Sequence, residues 1–104
     1  MTRNPIPSSD SALHQRLLLN PKDEAGRLLF ANELYECGRA RDVVSLLSLN
    51  FMERVGDPFA WFILGICQLD CGNRPEGERC LRRAGQADPS DPLPWLLLAG
   101  VYAR

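Results

Sequence analysis

The side chains that could carry chemistry in this 104-residue chain are four cysteines, one histidine and a group of arginines. Cys67 and Cys71 lie four residues apart, a spacing that places both thiols on one face of a helix. Zinc sites use four ligands, and the sole histidine, His14, is distant in sequence. A catalytic thiol needs a neighbouring base, and no cysteine–histidine pairing is evident. We therefore expect reduced structural thiols, no metal or cofactor, and no enzyme.

The arginines Arg79, Arg82 and Arg83 cluster on one face of a predicted helix, near Arg74. Nucleic-acid interfaces interleave such charges with aromatic residues, which this segment lacks. The formal net charge of −1 also gives no general attraction for polyanions. We expect a solvated outer face here, with an acidic protein partner as the alternative. Nucleic acid is not an expected partner.

The composition is that of one ordinary soluble domain, with 45% hydrophobic and 24% charged residues. Residues 1–9 lack the apolar core of a signal peptide, and no segment reaches the ~18 apolar residues of a membrane span. We therefore expect a cytoplasmic protein without membrane insertion, in which residues 1–9 form a flexible tail.

The elements that must position these residues recur with a period of 34 residues. Glu36-Cys37-Gly38-Arg39 reappears as Asp70-Cys71-Gly72-Asn73, and Trp61 reappears as Trp95. The same offset relates Phe30 to Leu64 and Leu98, Ala31 to Gly65 and Ala99, and Leu47 to Leu81. A fixed period of this length is typical of stacked helical units.

Each period predicts two helices separated by a glycine. Asp57-Pro58 and Asp91-Pro92 each place a capping carboxylate before a proline that suits the first helical position. The helix from Pro58 should end at Gly72, which tolerates the left-handed conformation. Its partner should stop before Asp88-Pro89, because a residue preceding proline avoids the helical region. The predicted helices cover residues 24–37, 40–54, 58–71, 75–87 and 93–103.

Small residues stand at one equivalent position in three of these helices, namely Ala31, Gly65 and Ala99. Glycine inside a helix costs roughly 1 kcal/mol relative to alanine, so Gly65 needs a packing reason. We predict that the two helices of each hairpin approach closely at these three positions.

The pattern resembles the tetratricopeptide repeat family, whose 34-residue units are helical hairpins. Residues 58–91 match the family positions at Trp61, Leu64, Gly65, Ala84 and Pro89, and residues 24–57 match less well. The resemblance implies an all-α domain over residues 10–104, with antiparallel hairpins stacked as a short right-handed solenoid of about two and a half repeats. Its parts are a degenerate half repeat at 10–23, repeats at 24–57 and 58–91, and the first helix of a further repeat at 92–104.

The resemblance also implies a binding groove, because the first helix of each unit lines a concave face in this family. A peptide or amphipathic helix of another protein would lie there, against a mostly apolar lining. The expected lining residues are Leu28, Asn32, Tyr35, Phe59, Phe62, Ile66, Leu69, Asp70, Leu93 and Leu96. The alternative occupant is the N-terminal segment of the same chain. Chaperone C-terminal peptides are not expected ligands, because Leu28 stands where the family's carboxylate clamp has lysine.

Two biological settings are compatible with such a surface. A small cytoplasmic chain of this form resembles bacterial secretion chaperones built from these repeats, which hold an export substrate in an apolar groove. The alternative is a structural adaptor or assembly subunit that docks through residues 92–104. Apolar residues surround that last helix on nearly all sides, whereas a terminal repeat normally needs a polar outer face. A homodimer contact, a partner subunit or a continuation of the chain would cover it.

Overall fold

The computed structural model describes residues 12–102, and these residues form helices and connecting turns without a strand. The helices are α1 (Ala12–Leu19), α2 (Glu24–Glu36), α3 (Ala40–Leu46), α4 (Leu49–Val55), α5 (Pro58–Asp70), α6 (Arg74–Ala87) and α7 (Leu93–Tyr102). The predicted all-α class is confirmed for this part of the chain. The tail predicted at residues 1–9 lies outside the described residues.

Two helix starts depend on the aspartates that precede proline in the sequence. Asp57 accepts hydrogen bonds at Oδ1 from the backbone N–H groups of Phe59 (2.8 Å) and Ala60 (3.2 Å). Asp91 likewise accepts one from Leu93 at 3.0 Å. These N–H groups have no partner within the helix, so the carboxylates stabilise both ends. The predicted start of α5 is confirmed, and α7 begins one residue after Pro92.

Two turns that lie 34 residues apart have the same backbone geometry. Cys37 ends α2 at φ −86° and ψ 1°, and Cys71 ends α5 at φ −85° and ψ 1°. The glycines that follow, Gly38 (φ 76°) and Gly72 (φ 84°), occupy the left-handed region that favours glycine. The sequence period is therefore reproduced in the backbone at these turns.

The single helix predicted over residues 40–54 is wrong, because the chain forms α3 and α4 there. Leu47 leaves the helical conformation at φ −97° and ψ 78°, and Ser48 caps α4 by accepting a hydrogen bond from the Phe51 N–H at 3.3 Å. Arg27 donates from Nη1 to the carbonyl oxygen of Leu46, at 3.1 Å. That oxygen lies in the last turn of α3, where carbonyls lack helical partners, so Arg27 stabilises the break.

The helices pack largely against their neighbours in the chain. α1 contacts α2, α2 contacts α3, and α6 contacts both α5 and α7, while α5 also contacts α2 and α3. Between α1 and α2, the His14 ring stacks on Phe30 with centroids 5.4 Å apart. The core combines buried side chains from α2 to α6: Ala31, Leu34, Val43, Leu47, Phe51, Met52, Ala60, Trp61, Ile63, Leu64, Cys67, Cys80 and Ala84. None of the helices within residues 12–102 has the length and apolarity needed to cross a bilayer.

Close packing between α5 and α6 is made possible by glycine on both helices. A Cβ on Gly65 would lie 2.9 Å from Cδ2 of Leu81, so the predicted close approach at Gly65 is confirmed. Ala31 is buried as expected, but Ala99 is exposed and the close contact predicted there is wrong. The reason is that α7 buries Pro94 and Leu98 instead, which leaves Ala99 on its open side.

Candidate protein-binding surface

Most of the predicted groove residues lie on α2 and α5, two helices that contact each other. α2 carries Leu28, Asn32 and Tyr35, and α5 carries Phe59, Phe62, Ile66, Leu69 and Asp70. Leu93 and Leu96 lie on α7, which contacts α6. We refer to the α2 and α5 residues of this set as the α2/α5 surface.

Phe59 and Phe62 form the most prominent aromatic feature of the α2/α5 surface. Their rings stack with centroids 6.4 Å apart and planes inclined by 21°, within the range of favourable aromatic pairs. Phe59 is 56% exposed, whereas Phe62 is half-buried and packs against the core. The core therefore supports an aromatic ring that is presented to solvent.

Tyr35 and Asp70 bring α2 and α5 into electrostatic contact at the other end of this surface. The pKa of Tyr35 is raised, mainly by burial and then by the negative charges of Cys67 and Asp70. The Tyr35 hydroxyl therefore stays neutral and can donate a hydrogen bond. Asp70 is exposed, so this end combines a phenol and a carboxylate beside the apolar residues.

The remaining predicted residues differ in how much surface they offer. Leu28, Asn32, Ile66 and Leu69 are half-buried. Leu28 also packs against the core. Leu69 contacts α6, because a Cβ on Gly77 would lie 2.7 Å from its Cδ2. Part of the Leu69 side chain is thus used in packing α5 against α6, a contact that the predicted groove role did not include.

α7 presents a second exposed apolar surface, since Leu93, Leu96 and Trp95 are all exposed. One side of the Trp95 indole lies against α6, where a Cβ on Gly85 would come within 2.6 Å of its Cζ2. Arg74 of α6 also donates from Nη2 to the carbonyl oxygen of Val101, at 3.2 Å. These contacts hold α7 on α6 while its apolar outer side stays accessible.

Leu29 and Leu97 are exposed apolar residues that the sequence interpretation missed. Both stand one or more periods of 34 residues from Ile63, which is 2% exposed, yet Leu29 is 50% and Leu97 38% exposed. The signal lay in the repeat itself, because the first and last copies of a stacked unit have a neighbour on only one side.

The arginine cluster of α6 is balanced by acidic side chains. Arg79 pairs with Glu76 at 3.6 Å and Arg82 with Glu78 at 3.7 Å. Arg83 pairs with Glu53 of α4, and its guanidinium lies 4.6 Å from the centre of the Trp61 ring. These pairs fit the expected solvated face better than a basic site for an acidic partner.

The cysteines provide little nucleophilic character. Burial raises the pKa of Cys67 to about 12 and that of Cys80 to about 11. Both therefore remain thiols at neutral pH, and the thiolate is the reactive form. Cys37 and Cys71 are half-buried, and all four cysteines are free. Within residues 12–102, no three histidine, cysteine, aspartate or glutamate side chains come together as a metal site would require.

An open cavity of about 550 Å³ lies between the α2–α3 turn and the end of α5, lined by residues 38–42, Asp70 and Cys71. Arg39 and Asp42 form an ion pair of 2.5 Å in its wall. Because Asp70 belongs to both features, the cavity gives the α2/α5 surface a charged border.

The chain was compared with known protein families, with curated proteins and with solved structures. No family model, no curated protein and no solved structure matches it. Its function has to be inferred from its own residues and their arrangement.

Proposed function

We propose that this chain is a non-catalytic protein-interaction module that binds a peptide or helix of another protein on the α2/α5 surface. The observation that carries this proposal is the exposed Phe59 ring, stacked on Phe62, which the core holds in place. Burial of apolar surface contributes roughly 25 cal/mol per Å², so covering an exposed aromatic ring would favour association. Aromatic side chains held by their surroundings are typical anchors of protein interfaces.

The architecture we propose is a short right-handed solenoid of tetratricopeptide-like hairpins, about two and a half repeats long. The two equivalent turns at Cys37 and Cys71 support it, and so does the close packing at Gly65. The packing of helices against their chain neighbours is of the kind expected for stacked hairpins. In such a solenoid α2 and α5 are first helices and line the concave side.

The biological setting we propose is a small cytoplasmic chaperone of a secretion system. This setting rests on the sequence resemblance and on the apolar character of the α2/α5 surface. An amphipathic helix or extended peptide of an export substrate would place spaced apolar residues against Phe59 and Phe62, and its own aggregation would thereby be limited. Asp70 and Tyr35 would then contact the polar side of the bound segment.

The exposed apolar side of α7 favours a second candidate, a structural adaptor or assembly subunit. Leu93, Trp95 and Leu96 are all exposed there. Contiguous apolar patches of this kind mark interaction sites more often than free surface. In this case α7 would dock against a subunit of a larger complex or a second copy of the chain.

Affinity capture from a lysate of the source cells tests the proposal when three forms are compared. The wild type should capture a protein that Phe59→Glu fails to retain, because a charge would replace the aromatic anchor. Leu49→Glu is the matched control, since Leu49 is also exposed but lies on α4, outside the α2/α5 surface. If all three forms capture the same proteins in the same amounts, the α2/α5 surface is not the binding site.

A variant on α7 separates the two settings. Leu96→Glu should leave capture intact if the partner lies on the α2/α5 surface. Loss of the captured protein with Leu96→Glu, together with retention by Phe59→Glu, would favour the adaptor and contradict the groove.

A further inference from the structure

α5 and α7 occupy equivalent places in the 34-residue repeat, yet only α5 is covered on both sides. Trp61 of α5 is 2% exposed, whereas its equivalent Trp95 is 44% exposed. Leu64 and its equivalent Leu98 are both buried. Each helix therefore buries one side against what precedes it, and α7 alone keeps the other side open.

The helix that covers α5 on this side is α6, and its contacts are specific. Leu81 of α6 lies over Gly65, where a Cβ would come within 2.9 Å of Leu81 Cδ2. Gly77 allows the backbones to meet, since its carbonyl oxygen would lie 3.2 Å from the same Cβ. Arg83 places its guanidinium 4.6 Å from the centre of the Trp61 ring. Three side-chain positions, at i, i+4 and i+6, thus define how α6 covers α5.

The equivalent positions on α7 offer the same receptor. Ala99 stands where Gly65 stands in α5, and it is exposed. Trp95 stands where Trp61 stands, with one side of its indole on Gly85. The extra methyl group of Ala99 meets only the terminal methyl of a leucine in the α6 arrangement, and a leucine side chain can adjust its rotamer. A helix like α6 would therefore fit on α7.

We propose that the open side of α7 binds a helix of another protein in the position that α6 takes on α5. This inference rests on the proposed role in protein interaction and adds the chemistry of one partner. The partner helix carries a small residue, a leucine four positions later and an arginine two positions after that, as in Gly77, Leu81 and Arg83. A second copy of this chain is not the occupant through α6, because its own Gly77 and Leu81 are buried against α5.

A synthetic peptide that copies α6 provides the probe. The peptide spans residues 73–88 with Cys80→Ser, and a hydrocarbon staple joins positions 79 and 86, which are exposed in α6. The staple is needed because an isolated helix of this length is marginally stable in water. Acrylamide quenching of tryptophan fluorescence is the readout, because Trp95 is accessible and Trp61 is not.

The expected result is a saturable loss of Trp95 quenching as the peptide is added. A peptide with Leu81→Glu should give no protection, and the protein variant Ala99→Glu should lose it. Leu29→Glu is the matched protein control, because Leu29 is exposed on α2 and should leave protection unchanged. Far-ultraviolet circular dichroism verifies that each protein variant keeps its helical content.

Three results would overturn the inference. They are an absence of protection by the peptide, equal protection by the Leu81→Glu peptide, and protection of Trp95 by rising protein concentration alone, which identifies a second copy as the occupant. Failure here is distinguishable from failure of the proposed function, because capture through Phe59 does not depend on Ala99.

Discussion

Gly65 and Gly77 place the backbones of α5 and α6 in direct contact. A Cβ on Gly65 would lie 3.2 Å from the carbonyl oxygen of Gly77, and a Cβ on Gly77 would lie 3.1 Å from that of Gly65. The contact is thus reciprocal, and it explains why α5 tolerates a glycine in its middle. It also fixes which side of α5 faces α6 and which side remains for the α2/α5 surface.

The first prediction concerns this contact. Gly65→Leu should destabilise the fold by about 3 kcal/mol, because the new side chain would overpack against Leu81. Urea denaturation followed by circular dichroism measures the effect. Gly100→Leu is the matched control, since Gly100 is exposed in α7 and has open space around its Cα. A Gly65→Leu variant with wild-type stability would contradict the packing described for α5 and α6.

The second prediction concerns Arg27, which joins three segments. Its guanidinium donates to the carbonyl oxygens of Leu46 and Pro21, both at 3.1 Å, and lies 4.9 Å from the centre of the Phe51 ring. Arg27→Lys should lower the free energy of unfolding by about 1–2 kcal/mol, because an ammonium cannot reproduce this planar arrangement. Thermal denaturation measures it, with Arg41→Lys at an exposed site as the control. Equal losses in the two variants would exclude the role given to Arg27.

The third prediction concerns acid stability. Hydrogen bonds from Arg16 and then from the Gly26 N–H hold the pKa of Asp23 below its ordinary value of 3.8. A lowered folded-state pKa contributes stability that is complete above the unfolded pKa and is lost as pH falls through the folded one. The midpoint of thermal unfolding should therefore fall less steeply for Asp23→Asn than for wild type between about pH 5 and pH 2. Arg16→Gln should flatten the profile similarly, and unchanged slopes would contradict the pairing.

The fourth prediction separates binding residues from packing residues on α5. Phe59→Ala should weaken binding of the captured partner by ~1–2 kcal/mol and leave the thermal midpoint unchanged. Leu69→Ala should instead lower stability, by about 1–2 kcal/mol, because Leu69 packs on Gly77. Calorimetric titration and thermal denaturation of the two variants measure both quantities. A fall in stability with Phe59→Ala would place Phe59 in the core.

The sequence predicts the helices best where local signals are strong. Asp57-Pro58 and Gly72 mark the start and end of α5, and both act as their residue types suggest. The break between α3 and α4 has no comparable signal, since neither Leu47 nor Ser48 forces a helix to end. It depends on Arg27, which reaches the Leu46 carbonyl from nineteen residues away in the chain. Long-range contacts of this kind are not visible in a local pattern.

The candidate surface shows the same division. Phe59 follows a helix-starting Asp-Pro pair and is exposed, so its place at the edge of α5 could be inferred from the sequence. The contact of Leu69 with Gly77 could not, because it depends on how far a side chain reaches across the α5–α6 contact. The exposure of Ala99 was also missed, since the repeat register alone does not say whether a neighbouring helix is present.

The location of the binding site on α2 and α5 is tested most directly by hydrogen–deuterium exchange of the protein with its captured partner. We predict slower exchange in the peptides that contain Tyr35 and Phe59, because the partner would cover the α2/α5 surface and reduce local opening there. The peptides from the arginine-bearing side of α6 should be unchanged. Protection confined to α7, or an absence of protection in both α2 and α5, would contradict the proposed groove.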